Sequence, residues 1–117
     1  MPKNYQTMVT DISTYAGELK NVQPDVMKNF HSMAQAAIQD GALDKKTKEL
    51  IALAIGVAKQ CDGCIGFHTR TLHQLGATRQ EVAEMLGVSI YMGGGPALMY
   101  AADALRAFDQ FSSGEAA

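Results

Sequence analysis

Apolar residues recur at three- and four-residue intervals along nearly the whole chain, and this periodicity limits what it can fold into. Tyr5, Met8, Val9, Ile12, Tyr15, Ala16 and Leu19 share one helical face. A second segment starts near Pro24, a residue suited to a first helical turn, and carries Val26, Met27, Phe30, Met33, Ala34, Ala37 and Ile38 on one stripe. Gly41 is placed to close it. A third begins after Asp44, a good N-cap, and runs through Leu50, Ile51, Ala54, Ile55 and Ala58. The fourth opens at Cys61-Asp62-Gly63-Cys64 and ends at Gly76. Thr78 and Glu81 form a capping box before Val82, Met85, Leu86 and Ile90 in the fifth. Gly93-Gly94-Gly95-Pro96 breaks the pattern, and a sixth helix is expected from about Ala97 to Phe111, with residues 112–117 as a frayed tail. No stretch alternates with period two between turn residues, and no linker or repeat interrupts the pattern. The expectation is one all-α domain of about six helices spanning residues 1–117.

Composition narrows the function classes. Ten basic against twelve acidic residues leave a slightly negative charge, and no Lys/Arg block forms a phosphate-binding footprint. Nucleic-acid binding is not expected. The longest mostly apolar run, Leu50 to Ala58, is about half the length of a membrane span. No signal-like apolar segment follows Met1, so a cytoplasmic protein with no membrane partner is the default. The seven methionines could suggest a soft-metal site, yet Met8, Met27, Met33 and Met85 fall on apolar stripes and read as core. Gly93–Gly95 lacks the preceding strand and the following Lys-Ser/Thr of a phosphate loop, and reads as a tight turn or a close helix contact. His31 and His73 read as surface residues.

The two cysteines, Cys61 and Cys64, carry the chemistry. A disulfide closing so short a loop restrains the unfolded chain little, so a redox or metal role outranks a structural one. Zinc usually takes four Cys/His ligands, and no second pair lies nearby, so no metal is expected. Inert buried thiols are the third possibility. If the fourth helix starts inside the motif, Cys64 and His68 stand one turn apart on one face. His68 could then take a proton from a thiol and return it to a leaving group. Cys61 would sit beside the unpaired N–H groups of the helix start, which favours its thiolate. A second thiol three residues away can capture a sulfenic acid before it is oxidised further. Glu49, beside Lys45, Lys46 and Lys48, reads from its neighbours alone as a solvated carboxylate.

Glu49, eleven intervening residues, and then Cys61-x-x-Cys64-x-x-x-His68 resemble the signature of the alkylhydroperoxidase D-like family, within the carboxymuconolactone decarboxylase superfamily. The apolar run Leu50–Ala58, the segment Gly76–Val82 and Gly93–Ala97 are similar to it too, so the resemblance covers roughly residues 43–105. It implies an all-helical fold, peroxide reduction through a disulfide cycle, and no metal or organic cofactor. The implied partners are a small hydroperoxide, a dithiol electron donor and further copies of the chain, as dimers or trimers of dimers. It also implies that Glu49 and His68 form a proton relay, that Cys64 attacks and that Cys61 resolves. The helix-end argument favours Cys61 as the more acidic thiol, so both assignments stand at this stage. Gly63 departs from the pattern, since the peroxidase branch has a histidine there, and Asp62 adds a negative charge beside the thiols. Two other functions compete: a decarboxylase-type lyase of the same superfamily, and a non-enzymatic dithiol that senses redox state or metal.

Overall fold

The computed structural model describes residues 2–114, and the end of the expected tail, residues 115–117, lies outside the described residues. Six helices follow in order: α1 (Tyr5–Val22), α2 (Pro24–Ile38), α3 (Lys45–Ala58), α4 (Asp62–Gln74), α5 (Arg79–Gly93) and α6 (Gly95–Ser113). There is no strand among the described residues. No helix is long and apolar enough to cross a membrane.

The caps explain most of the boundaries. Asn4 caps α1 by accepting from the Thr7 N–H at 2.9 Å, and Asp44 caps α3 by accepting from Thr47 at 2.8 Å. Thr78 and Glu81 exchange both hydrogen bonds of the expected capping box. α2 stops at Ile38, three residues before Gly41, where the Gly41 N–H turns to the Leu43 carbonyl. α6 starts two residues before the expected Ala97 and runs two beyond Phe111. Gly94, with φ of 75°, lets the chain reverse between α5 and α6 with no side chain to clash.

The core lies where α3, α4, α5 and α6 meet, with α1 laid across α4 and α6. Tyr5, Leu53, Val57, Ile65, Leu72, Val82, Ala104 and Ala107 are fully buried there. Alanine at one-turn spacing along α6 (Ala97, Ala101, Ala104, Ala107) lets neighbouring backbones approach. Two glycines do the same around α4. A Cβ on Gly66 would lie 2.7 Å from Val9 Cγ2, and one on Gly56 would lie 2.9 Å from Cys64 Cβ. These contacts press α1 and α3 against the segment that carries the cysteines.

One expectation fails. The apolar stripe of α2 does not enter the core: α2 has no buried residue, and Phe30 is 62% exposed. α2 packs only on α1 and, more thinly, on α3, so its stripe faces outward. Met33 is therefore exposed rather than part of the core, and Met8, Met27 and Met85 are only half-buried. Exposed Tyr15, Leu19 and Val22 extend the same apolar surface along α1. A second apolar region is the groove of about 520 Å³ between α3 and α5, lined by Leu50, Ile51, Ile55, Val88 and Met92 among others.

Candidate active site

The link between α3 and α4 builds the site. α3 closes at Gln60, which takes a left-handed φ of 56°, and the Cys61 N–H returns to the Gly56 carbonyl at 3.0 Å. The chain thus reverses within three residues, and Cys61 becomes the N-cap of α4. Its Sγ accepts from the Cys64 N–H at 3.2 Å. The helix start expected within the motif is therefore present, and Cys61 holds the position where a free backbone N–H meets the sulfur. Cys61 and Cys64 are joined by a disulfide, with Cα atoms 5.2 Å apart, and both are partly accessible.

α3 and α4 run antiparallel, and their register aligns the remaining groups. Glu49, Leu53 and Gly56 share the buried face of α3. Gly56 meets Cys64, and two turns earlier Glu49 meets His68. The His68 Nδ1 lies 2.7 Å from Glu49 Oε2. An ionised carboxylate only accepts, so opposite one Nδ1 is the donor, and a neutral imidazole in that tautomer has its lone pair on Nε2. Glu49 is 5% exposed, which overturns its reading as a solvated carboxylate beside three lysines. Lys46 pairs with Glu81 and Lys48 donates to the Gln39 carbonyl, while Glu49 points inward. A carboxylate buried this far needs a partner, and His68 supplies it.

The four candidate residues thus fall on two facing helices, with Glu49 paired to His68, and Cys64 one turn from His68. His31 and His73 stay at the surface, and His73 stands edge-on to Phe108. Among the described residues no group of three or more His, Cys, Asp or Glu is arranged to hold a metal ion.

Asp62 is paired from two directions. Lys3 Nζ donates to Asp62 Oδ1 at 3.0 Å and to Asp103 Oδ2 on α6 at 2.8 Å. The fully buried Tyr5 places its hydroxyl 3.5 Å from the same Asp62 oxygen. Desolvation foremost, with the two carboxylates adding, holds the Tyr5 phenol protonated well above its usual range. Lys3, Tyr5 and Asp103 escape a reading of the sequence because they lie 41 to 59 residues from Asp62, beyond any local pattern. Of this cluster the sequence shows only Asp62, as a negative charge beside two thiols.

Residues 24–107 match the sequence profile of the carboxymuconolactone decarboxylase family, most of the chain's length. The chain belongs to that family. Within the carboxymuconolactone decarboxylase family it is similar to an uncharacterized protein of Cupriavidus necator, with 43% identity over 97% of this chain and all of that protein. A protein in the cox locus of Paracoccus denitrificans is 34% identical over 84% of this chain and 88% of its own length. A crystal structure of a family member from Legionella pneumophila superposes with a TM-score of 0.91 at 58% identity, covering 92% of this chain and 96% of that one. A second family member, from Thermotoga maritima, matches with a TM-score of 0.72 at 25% identity over 86% of this chain and 91% of its own. For the Thermotoga protein an antioxidative-response role has been suggested.

Proposed function

We propose that this protein is a thiol-dependent peroxidase that reduces small hydroperoxides through the Cys61–Cys64 pair. The observation that carries the reading is the buried Glu49 carboxylate hydrogen-bonded to His68, one helical turn from Cys64. A family that includes enzymes, and the antioxidative-response role suggested for the Thermotoga relative, support it.

The chemistry balances without a metal or organic cofactor. In the reduced form His68 Nε2 accepts the Cys64 thiol proton, and Glu49 stabilises the imidazolium through Nδ1–H. The Cys64 thiolate donates an electron pair to the terminal peroxide oxygen, the O–O bond breaks, and the departing alkoxide takes the proton from His68. Products are an alcohol and a Cys64 sulfenic acid. The Cys61 thiolate, supported by the backbone N–H groups at the helix start, then attacks the Cys64 sulfur. The S–O bond breaks, the departing hydroxide takes up the proton that Cys61 gave to solvent and leaves as water, and the disulfide forms. An external dithiol returns two electrons by thiol–disulfide exchange and leaves as its own disulfide. Such a cycle suits a reducing compartment, consistent with a cytoplasmic location.

The test is stoichiometric. One equivalent of an alkyl hydroperoxide should convert two titratable thiols to none and lower the mass by two hydrogens. With excess dithiol donor, many equivalents of peroxide should be consumed per chain. A single oxidation without turnover would make the pair a sensor. Separate over-oxidation of each cysteine would end the dithiol reading altogether.

The working unit is proposed to be a homo-oligomer assembled from dimers, up to a hexamer. Val26, Phe30 and Met33 on α2 are exposed and the α3–α5 groove is open and apolar, and soluble monomers rarely leave large contiguous apolar surface uncovered. A second copy covers such surfaces under closed symmetry. Light scattering after size exclusion at micromolar protein should give a multiple of the single-chain mass. A folded, active single chain would refute this assembly.

A further inference from the structure

We propose that Lys3 is a positioning residue of the redox pair: by clamping Asp62 against Asp103 it neutralises the carboxylate beside the cysteines and so keeps the reactive thiol acidic. The inference deepens the dithiol reading and rests on Cys61 and Cys64 being the reacting pair.

Asp62 is the residue that follows Cys61 and forms the first turn of α4. Left alone, its negative charge would oppose the helix-start N–H groups and disfavour a thiolate at either cysteine. The structure does not leave it alone. The Lys3 ammonium bridges Asp62 and Asp103 at 3.0 and 2.8 Å and lies over the Tyr100 ring, 5.1 Å from its centroid. The hydrogen bond to Asp103, and then that to Asp62, hold Lys3 charged far above its ordinary range, outweighing the opposing effect of desolvation.

The ion pair is half-exposed, but the backbone that carries Lys3 is anchored. The Gln110 side chain grips the backbone on both sides of Lys3's segment: its Nε2 donates to the Lys3 carbonyl and its Oε1 accepts from the Tyr5 N–H, both at 2.8 Å. Tyr5 is fully buried behind this segment, so Lys3 leaves the α1–α6 junction at a fixed point. An exposed ion pair contributes little to stability, so a structural role alone is a weak reason for so much anchoring. The charged and titratable groups around the motif include Lys3 and Tyr5 from the α1 side, Asp103 from α6, Glu49 and, two residues before Cys61, the exposed Lys59 from α3, and His68 on α4 itself. Lys3 is the cation of this set that is paired with Asp62. Arg106 reaches only Asp103, at 3.9 Å.

The experiment is the pH dependence of iodoacetamide alkylation of the fully reduced protein, with mass mapping to assign the modified cysteine. Lys3→Met should move the profile to higher pH and slow alkylation at neutral pH about three- to tenfold, the scale of one partly screened charge nearby. Lys3→Arg should retain the native profile. Asp62→Asn in the Lys3→Met background should restore it, because the charge that needed neutralising is gone. The disulfide of Lys3→Met should also be harder to reduce in a dithiothreitol buffer, since its thiolate product is disfavoured. If Lys3→Met does not fold, Gln110→Ala loosens the clamp without changing charge and should shift the profile in the same direction by less. A native profile in Lys3→Met, or in Gln110→Ala where that variant stands in, overturns the proposal, as does a shift that Asp62→Asn fails to reverse. Peroxide turnover separates the two readings. If the native protein consumes no peroxide while Lys3→Met still shifts the profile, the peroxidase reading falls and the clamp stands. If peroxide is consumed and the profile is unmoved, only the clamp falls.

Discussion

Cys64→Ser is expected to abolish peroxide consumption, whereas Cys61→Ser is expected to keep one round of reduction and lose turnover. The asymmetry follows from where each sulfur sits. Cys64 is one turn from His68 on the same helix and packs against Gly56, which sets it on the side of α4 that α3 covers. Cys61 is the N-cap, with a backbone N–H directed at its sulfur, which suits a resolving thiolate and a good leaving group for the donor dithiol. Without Cys61 the attack on peroxide remains possible, but the sulfenic acid on Cys64 finds no partner. It should be trapped stoichiometrically by a dimedone-type reagent, read as a mass increase on the peptide that contains Cys64. Without Cys64, alkyl hydroperoxide should survive incubation with the reduced protein. The opposite pattern, with Cys61→Ser dead and Cys64→Ser trapping a sulfenic acid on Cys61, would make the N-cap cysteine the attacker, as the helix-end argument alone suggests.

The helices were legible because each is marked locally. Asp44, Thr78 and Pro24 announce helix starts through side-chain oxygens or a fixed φ, and the apolar spacing identifies the type. Ends were less legible: α2 stops short of Gly41, and α6 begins on Gly95 because Pro96 tolerates a first helical turn. Burial was the weakest inference. Periodicity shows that α2 has an apolar face but not what covers it. In the single chain nothing does, which is why Met33 and Phe30 lie open.

The site divides along the same line. Cys61, Cys64 and His68 share one short segment, and their spacing set Cys64 and His68 on one helix with Cys61 at its start. Glu49 depended on the family resemblance, because its immediate neighbours are lysines and point to solvent; the inward turn comes from the register between α3 and α4. Lys3, Asp103 and Gln110 were illegible, since their partners come together only when α1 closes on α6.

Loss of the Glu49–His68 pair should slow peroxide reduction in a non-additive way, with activity and stability moving apart. In the proposed cycle His68→Ala removes the group that takes the thiol proton and returns it to the alkoxide, and should lower the rate by ~10²–10⁴-fold. It also strands the buried Glu49 carboxylate, so stability should fall by about 1–3 kcal/mol. Glu49→Gln keeps an oxygen able to accept from Nδ1–H but removes the charge that stabilises the imidazolium. Its rate loss should be smaller, and its fold should persist. In the double variant the two effects separate. With a neutral amide in place of the carboxylate, no buried charge is left without a partner, so the melting temperature should recover part of what His68→Ala lost. The rate should stay at the His68→Ala level, because residues acting as one relay are not additive. Rates are to be followed by peroxide consumption across pH and stability by thermal unfolding of the reduced protein. Native rates in both single variants would remove the pair from the chemistry. Activity that recovers in step with stability in the double variant would make Glu49 and His68 a packing pair that only holds α3 against α4.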